Sequence, residues 1–169
     1  FSDGSLSPTE LIIQATEKEL SHIAVTDHHT TDAFPEMYQW LKEQKDQALT
    51  TPFLWTGIEI TCLLRKCLVH VLGLDIDITS TSLNIYRNGE SAIGQDLEAK
   101  SVVRAIHDAG GLAILAHPAR YRLNYNILID EAYINNFDGA EAWYDYSYSE
   151  VWKPTPIICD SINNKLRNL

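Results

Sequence analysis

The chain has 169 residues, of which 45% are hydrophobic and 21% charged, and its formal net charge is −10. That length and composition fit one globular domain with a real core and exclude a disordered chain; no apolar run reaches the roughly 20 residues that cross a bilayer, and no signal peptide is recognisable. The acidic balance excludes a protein that coats nucleic acid through a broad basic surface, but not one that acts on an anionic substrate, because bound cations reverse a local field.

Ser7-Pro8-Thr9-Glu10 reads as a capping box with proline at the first helical position. The helix that follows, over about 8–20, is expected to bury Leu11, Ile12, Ala15 and Leu20. Residues 22–26 read as a buried strand, and 32–46 as a helix with Phe34, Met37 and Leu41 on one face. Strands are expected near 53–60 and 68–74, with Thr61 to Cys67 as the turn, and 75–95 reads as a surface loop, alone or with a short helical turn. Helical period returns from Asp96, with Ala99, Val102, Val103 and Ile106 in one stripe and Gly110-Gly111 as the stop. A strand over Leu112–Ala116, a helix near 126–136, a strand over Gly139–Trp143 and a helix over Thr155–Leu166 complete the chain. Strands alternating with helices predict an α/β architecture with a mostly parallel sheet. The three cysteines, Cys62, Cys67 and Cys159, form no CxxC pair. A disulfide framework is therefore not expected, and a cytoplasmic location is.

Four apolar runs carry or end on residues of metal-ligand type. HIAVT leads into Asp27-His28-His29, FLWTGI into Glu59 and GLAILA into His117, while LVHVLG carries His70; ahead of them Asp3 lies in Ser2-Asp3-Gly4. Strands that stop at such residues deliver their side chains to one rim of a sheet or barrel, where mixed nitrogen and oxygen ligation suits Zn, Mn or Fe. Other polar residues have plainer readings. His22 reads as a surface or junction residue and His107 as the polar side of a helix. Glu141 reads either as reaching the rim or as a structural ion pair. The stretch from Trp143 to Trp152, with Tyr144, Tyr146 and Tyr148, either stacks a base or packs against further chain.

Phe1-Ser2-Asp3-Gly4, Thr26-Asp27-His28-His29, Gly57-Ile58-Glu59-Ile60, His70-Val71-Leu72-Gly73 and Gly111-Leu112-Ala113-Ile114-Leu115-Ala116-His117-Pro118-Ala119-Arg120-Tyr121 together resemble the PHP (polymerase and histidinol phosphatase) family. The resemblance covers about residues 1–143 and lies nearest the stand-alone bacterial and cyanobacterial phosphoesterase branch. It implies a distorted (β/α)7 TIM-like barrel holding two or three divalent ions, with Mn, Zn, Fe and Mg all open. By motif, the metal ligands are Asp3, His28, Glu59, His70 and His117, with Glu59 bridging two ions. Arg120 is the implied phosphate clamp beside Tyr121, which lines the pocket or packs under it. Asp27 and His29 are expected to orient ligands or move protons. The family's HxH pair and late Asp-x-His block are not in this sequence. The chain is therefore expected to be one PHP-like domain over 1–169, incomplete at both ends and impaired as it stands.

The function so implied is hydrolysis of a small phosphomonoester, a nucleotide or an oligonucleotide end, by a metal-bridging hydroxide, with Glu59 and Arg120 catalytic. The alternatives are a 3′–5′ exonuclease or polymerase-associated editing module, and a non-catalytic binding domain with a degenerate metal site. The acidic charge and the lack of an expected Lys/Arg-lined face weigh against the exonuclease. The expected partner is a small phosphorylated substrate, with nucleic acid only as substrate and no membrane. Nothing in the sequence sets an oligomeric state.

Overall fold

A computed structural model describes residues 6–46, 50–147 and 151–169. Its elements in chain order are α1 (Pro8–Glu17), β1 (His22–Ala24), α2 (Ala33–Asp46), β2 (Phe53–Trp55), β3 (Gly57–Leu64), β4 (Cys67–Leu74), α3 (Ala99–Asp108), β5 (Leu112–Leu115), α4 (Tyr125–Ile134), β6 (Gly139–Ala140) and α5 (Pro156–Leu166). The capping box forms as read: Glu10 N–H donates to Ser7 Oγ at 3.2 Å and Ser7 N–H to Glu10 Oε2 at 2.8 Å. The first helix stops at Glu17, before the left-handed Glu19 (φ 54°), so Leu20 is exposed rather than buried.

Strands β1 and β2 pair in parallel, and β3-β4-β5-β6 form a second sheet. A parallel bridge joins the two: His29 N–H donates to the Glu59 carbonyl at 2.9 Å, and Glu59 N–H to the Asp27 carbonyl at 3.0 Å. The expectation of a mostly parallel sheet is corrected, because β4 runs antiparallel to both β3 and β5. The cause is a two-residue hairpin. Arg65 (φ 48°) and Lys66 (φ 62°) both take left-handed backbone, the conformation that a type I′ turn requires. Strand β3 therefore runs through Thr61 to Leu64, where a turn was expected. Among the described residues the architecture is mixed α/β, without a closed barrel.

Register divides the larger sheet into two faces. Glu59 pairs with Leu72, Thr61 with His70 and Leu72 with Ile114, so these five side chains share one face. Ile58, Ile60, Cys62, Val71, Ala113 and Leu115 point the other way, into a core with Val102, Val103 and Ile106 of α3 and Leu128 and Ile129 of α4. A smaller core holds Val25, Ala33, Phe34, Met37 and Leu54. The stretch 75–95 forms the short helical turn that its sequence allowed, a 3-10 turn over Thr81–Leu83, but it is not only surface, because it buries Leu83 (0% exposed) and Tyr86 (2%) in the larger core. Strand β6 is two residues long, shorter than the expected 139–143.

Candidate metal centre

The polar face of the sheet gathers residues from four segments. His28 follows β1 and is set beside Glu59 by the parallel bridge. His70 stands on β4, two register pairs along from Glu59 and so on the same face. His117 follows β5, where Ala116 N–H donates to the His70 carbonyl at 3.0 Å. The backbone of His117 is left-handed (φ 29°), and its N–H donates to Glu141 Oε2 at 2.7 Å. That bend feeds a 3-10 turn over Pro118–Arg120, which brings Arg120 to the same rim.

Glu59 is the hub. Its Oε1 lies 2.8 Å from His70 Nδ1 and 3.4 Å from His117 Nε2, while Oε2 lies 3.8 Å from His28 Nε2. Ligand atoms of His28, Glu59 and His70 all fall within 4.8 Å of one another. Burial alone would raise the Glu59 carboxyl. The His117 and His70 imidazoles against it, with the charge of His28 nearby, outweigh that and hold it at about 2. His70 Nδ1 lies close to the carboxylate; it, His117 Nδ1 and, outside the cavity lining, His29 Nδ1 are buried with no hydrogen-bond partner. Such unpartnered imidazole nitrogens are costly unless something else binds them. Converging imidazoles around an ionised carboxylate fit a Zn-, Mn- or Fe-type ion well.

These residues line a cavity of about 470 Å³, together with Thr26, Leu72, Arg120, Tyr121, Glu141 and Tyr144. Arg120 donates to the Tyr144 hydroxyl at 2.8 Å and lies over that ring, 5.5 Å from its centre. The Tyr121 hydroxyl accepts the His70 N–H at 2.8 Å, and its ring packs against His117 at 5.3 Å. Burial and the nearby carboxylates of Glu59 and Glu141 keep that phenol protonated. Tyr121 thus both lines the cavity and supports two imidazoles. Glu141 turns inward: burial raises its pKa, against the opposing effect of the His117 N–H and imidazole.

Asp3 and Tyr148 lie outside the described residues. Asp27 meets Glu59 through its main-chain carbonyl and is not among the cavity-lining side chains. His29 is buried on left-handed backbone, with Nε2 3.0 Å from Thr61 Oγ1 and 3.3 Å from Ser91 Oγ. Its burial lowers its pKa. It joins the bridge region to the 75–98 loop, where Gly89 N–H donates to its carbonyl. His22 pairs with Trp55 at 3.1 Å and His107 with Asp138 at 2.8 Å, both away from the cavity. The aromatic stretch splits: Tyr144 faces the cavity, Tyr146 is buried, and Trp143 and Trp152 are exposed. The sequence gives Tyr144 no tie to Arg120, because no local pattern spans their separation of 24 positions.

Known proteins of similar sequence and fold can be set beside this geometry. The chain is 29% identical over 133 residues to the 5′-3′ exoribonuclease Rnm of Escherichia coli K12, covering 71% of this chain and 44% of that protein. It is 33% identical over 82 residues to a 3′,5′-nucleoside bisphosphate phosphatase of Chromobacterium violaceum, covering 48% and 27%. The chain spans less than half the length of the curated relatives it matches. In fold it is similar to a candidate metal-dependent phosphoesterase from Bifidobacterium adolescentis, with TM-score 0.75 and 18% identity over 99% of this chain and 80% of that one. An amidohydrolase from Chromobacterium violaceum with bound sulfate gives TM-score 0.65 at 19% identity, over 84% and 73%. The sequence profile of the PHP domain matches residues 1–153, and the chain belongs to that family.

Proposed function

We propose that this chain carries the catalytic face of a metal-dependent phosphoesterase that cleaves a small phosphomonoester, either a nucleotide or the end of an oligonucleotide. One observation carries the reading: the two oxygens of Glu59 face different histidines, Oε1 toward His70 and His117 and Oε2 toward His28. A carboxylate divided in this way suits the bridging position between two cations. His28, Glu59, His70 and His117 would hold two or three divalent ions, of which Mn, Zn and Fe suit this donor set and Mg suits it less. Such ions, when bound, activate water and neutralise phosphoryl oxygens.

The protein's own groups do the rest. Arg120 offers a planar fork to the phosphoryl oxygens, and Tyr144 sets its direction through the hydroxyl contact. Tyr121 fixes the β4 backbone at His70 and the ring of His117. In the net reaction a water oxygen bonds to phosphorus, the ester P–O bond breaks, and a proton passes to the departing alkoxide. Two buried imidazole nitrogens of this cavity's residues, His70 Nδ1 and His117 Nδ1, have no hydrogen-bond partner, which weighs against a degenerate, non-catalytic site. We also infer that the sheet is part of a distorted (β/α)7 barrel; Leu68 (57% exposed) and Leu112 (51%) on the Glu59 face support further cover there. Free thiols at Cys62, Cys67 and Cys159 support a reducing compartment. Among the described residues no helix is long and apolar enough to cross a membrane.

Glu59→Gln tests the reading. Bound Mn or Zn, counted by elemental analysis, should fall by at least one ion per chain, and hydrolysis of a mononucleotide should fall at least a hundredfold. Wild-type metal content and turnover in that variant would overturn it.

A further inference from the structure

We propose that Glu141 is a positioning residue that couples His117 to Arg120, by holding the backbone bend that aims both. The role given to Arg120 rests on the phosphoesterase reading of this site. His117 has left-handed backbone (φ 29°, ψ 61°), and Pro118 follows it. Left-handed backbone is costly for a residue with a Cβ, and a following proline pushes its neighbour toward extended conformations. Nothing in Ala116-His117-Pro118 favours the bend, so contacts from elsewhere must hold it. The chain is tied on either side: Ala116 N–H donates to the His70 carbonyl and Arg120 N–H to the His117 carbonyl, both at 3.0 Å. Between these, the His117 N–H leaves the strand ladder and donates to Glu141 Oε2 at 2.7 Å. A carboxylate oxygen is a strong acceptor for such a group.

Glu141 is itself firmly placed. Its N–H donates to the Leu115 carbonyl at 2.9 Å, and its carbonyl accepts the Tyr146 hydroxyl at 3.4 Å. The main chain is thus fixed beside the end of β5, while the side chain turns into the metal cavity. The bend it holds has two products. His117 Nε2 comes within 3.4 Å of Glu59 Oε1, and the chain enters the Pro118–Arg120 turn that carries Arg120 to the rim. Tyr144, three residues after Glu141, accepts the hydrogen bond of that guanidinium. One short segment therefore sets a metal ligand and the phosphate clamp relative to each other, through Glu141 at the bend and Tyr144 at the fork. Loss of the Glu141 bond should disturb metal and phosphate contacts together, whereas loss of the Tyr144 hydroxyl should touch only the second.

The test compares three variants. Glu141→Met keeps side-chain length without an acceptor, Glu141→Asp keeps the charge but falls a methylene short, and Glu141→Gln keeps both length and an acceptor oxygen. Three quantities are read: hydrogen exchange of the His117 amide by NMR in the metal-free chain, Zn affinity by competition with a chelator, and hydrolysis of a mononucleotide at saturating Zn. In Glu141→Met and Glu141→Asp the amide should exchange at least tenfold faster than in the wild type. Zn should bind at least tenfold more weakly, and kcat at saturating Zn should fall at least tenfold, because Arg120 is then aimed wrongly even with the metal in place. Glu141→Gln should recover at least half of each loss on a logarithmic scale. Thermal melts establish the fold, and if Glu141→Met does not fold, Glu141→Asp carries the comparison. Wild-type values in Glu141→Met overturn the proposal. So does a glutamine variant as impaired as the methionine one, or an aspartate variant equal to the wild type, since charge and not the bond would then be what matters. Amide exchange and Zn binding are read without turnover, so a wild type that binds Zn but hydrolyses nothing would count against the phosphoesterase reading and leave the His117 result standing.

Discussion

Burial and charge oppose each other most strongly at Glu59, and charge prevails. Its carboxyl is held at about 2 against an ordinary 4.5, so the folded state favours the ionised form. A lowered carboxyl contributes stability that is fully present above pH 4.5 and is lost as pH falls from there through about 2. The metal-free chain should therefore lose stability in acid over that window, by at most roughly 3 kcal/mol from this group. Urea unfolding of Glu59→Gln across the same range should give a flatter curve; curves of identical slope would show that the histidines do not hold the carboxylate. Acid should release metal by a separate route, since the imidazoles must be unprotonated to bind it. Arg120 offers a second test. Tyr144→Phe keeps the ring under the guanidinium and removes only the hydroxyl that accepts its hydrogen bond. Loss of one such orienting bond should lower kcat/KM about tenfold, or about 1.4 kcal/mol, with little change in Tm. A full effect on Tm and none on kcat/KM would make Tyr144 a packing residue.

Between elements, the site depends on how closely the segment 25–28, which follows β1, approaches the start of β3. Gly57 stands at that joint, where a Cβ would come within 2.7 Å of both the Val25 carbonyl and Thr26 Cγ2 and 3.0 Å from the Gly73 carbonyl. Two of those three contacts are backbone and cannot rotate away. Gly57→Ala should therefore spread β1 from β3, cost about 1–3 kcal/mol of stability, and weaken metal binding through the His28–Glu59 spacing. A variant with lowered Tm but unchanged metal affinity would show that the bridge is not what sets that spacing. This joint also shows what the sequence could reveal. The apolar runs that lead to His28 and His117 were legible, because a short buried strand followed by a polar residue has a distinct pattern; Glu59 instead stands inside β3, since the single strand expected over 53–60 is divided into β2 and β3 of different sheets. The α3 stripe of Val102, Val103 and Ile106 was legible too, buried as its period requires. The hairpin was not, since Arg65-Lys66 lacks the Asn or Gly that normally marks such a turn. Nor was the burial of Tyr86, whose hydroxyl finds the Asp96 carbonyl ten residues on in a stretch otherwise rich in loop formers. A groove lined by Arg65, Lys66, Arg120 and Arg122 corrects the expectation that no Lys/Arg-lined face exists; it depends on tertiary contact between the hairpin and the turn after β5, which no local pattern records.

At the scale of the whole molecule, the four proposed ligands, His28, Glu59, His70 and His117, do not belong to one packing unit. His28 follows β1, whose neighbours Val25, Phe34, Met37 and Leu54 make the small core with α2. Glu59, His70 and His117 stand on or beside the strands that build the large core with α3 and α4. Among the described residues that small core has five buried side chains, with Leu11 of α1 packed against it, and so offers limited hydrophobic stabilisation; the α1–β1–α2 unit should be the part most able to open by itself. An ion held by His28 on one side and by Glu59 and His70 on the other would tie the two units together. Metal should then act as a folding ligand: at free metal one hundred times Kd it adds about 2.7 kcal/mol, roughly 5–10 °C in Tm for a chain of this size. Hydrogen exchange locates the effect. In chelator, amides of α1 and α2 should exchange faster than those of α3 and β3–β5; with Mn or Zn present the two sets should approach one another. If metal instead protected both units equally, or protected only the strands of the large core, His28 would not be a ligand that matters, and the ion would sit between Glu59, His70 and His117 alone.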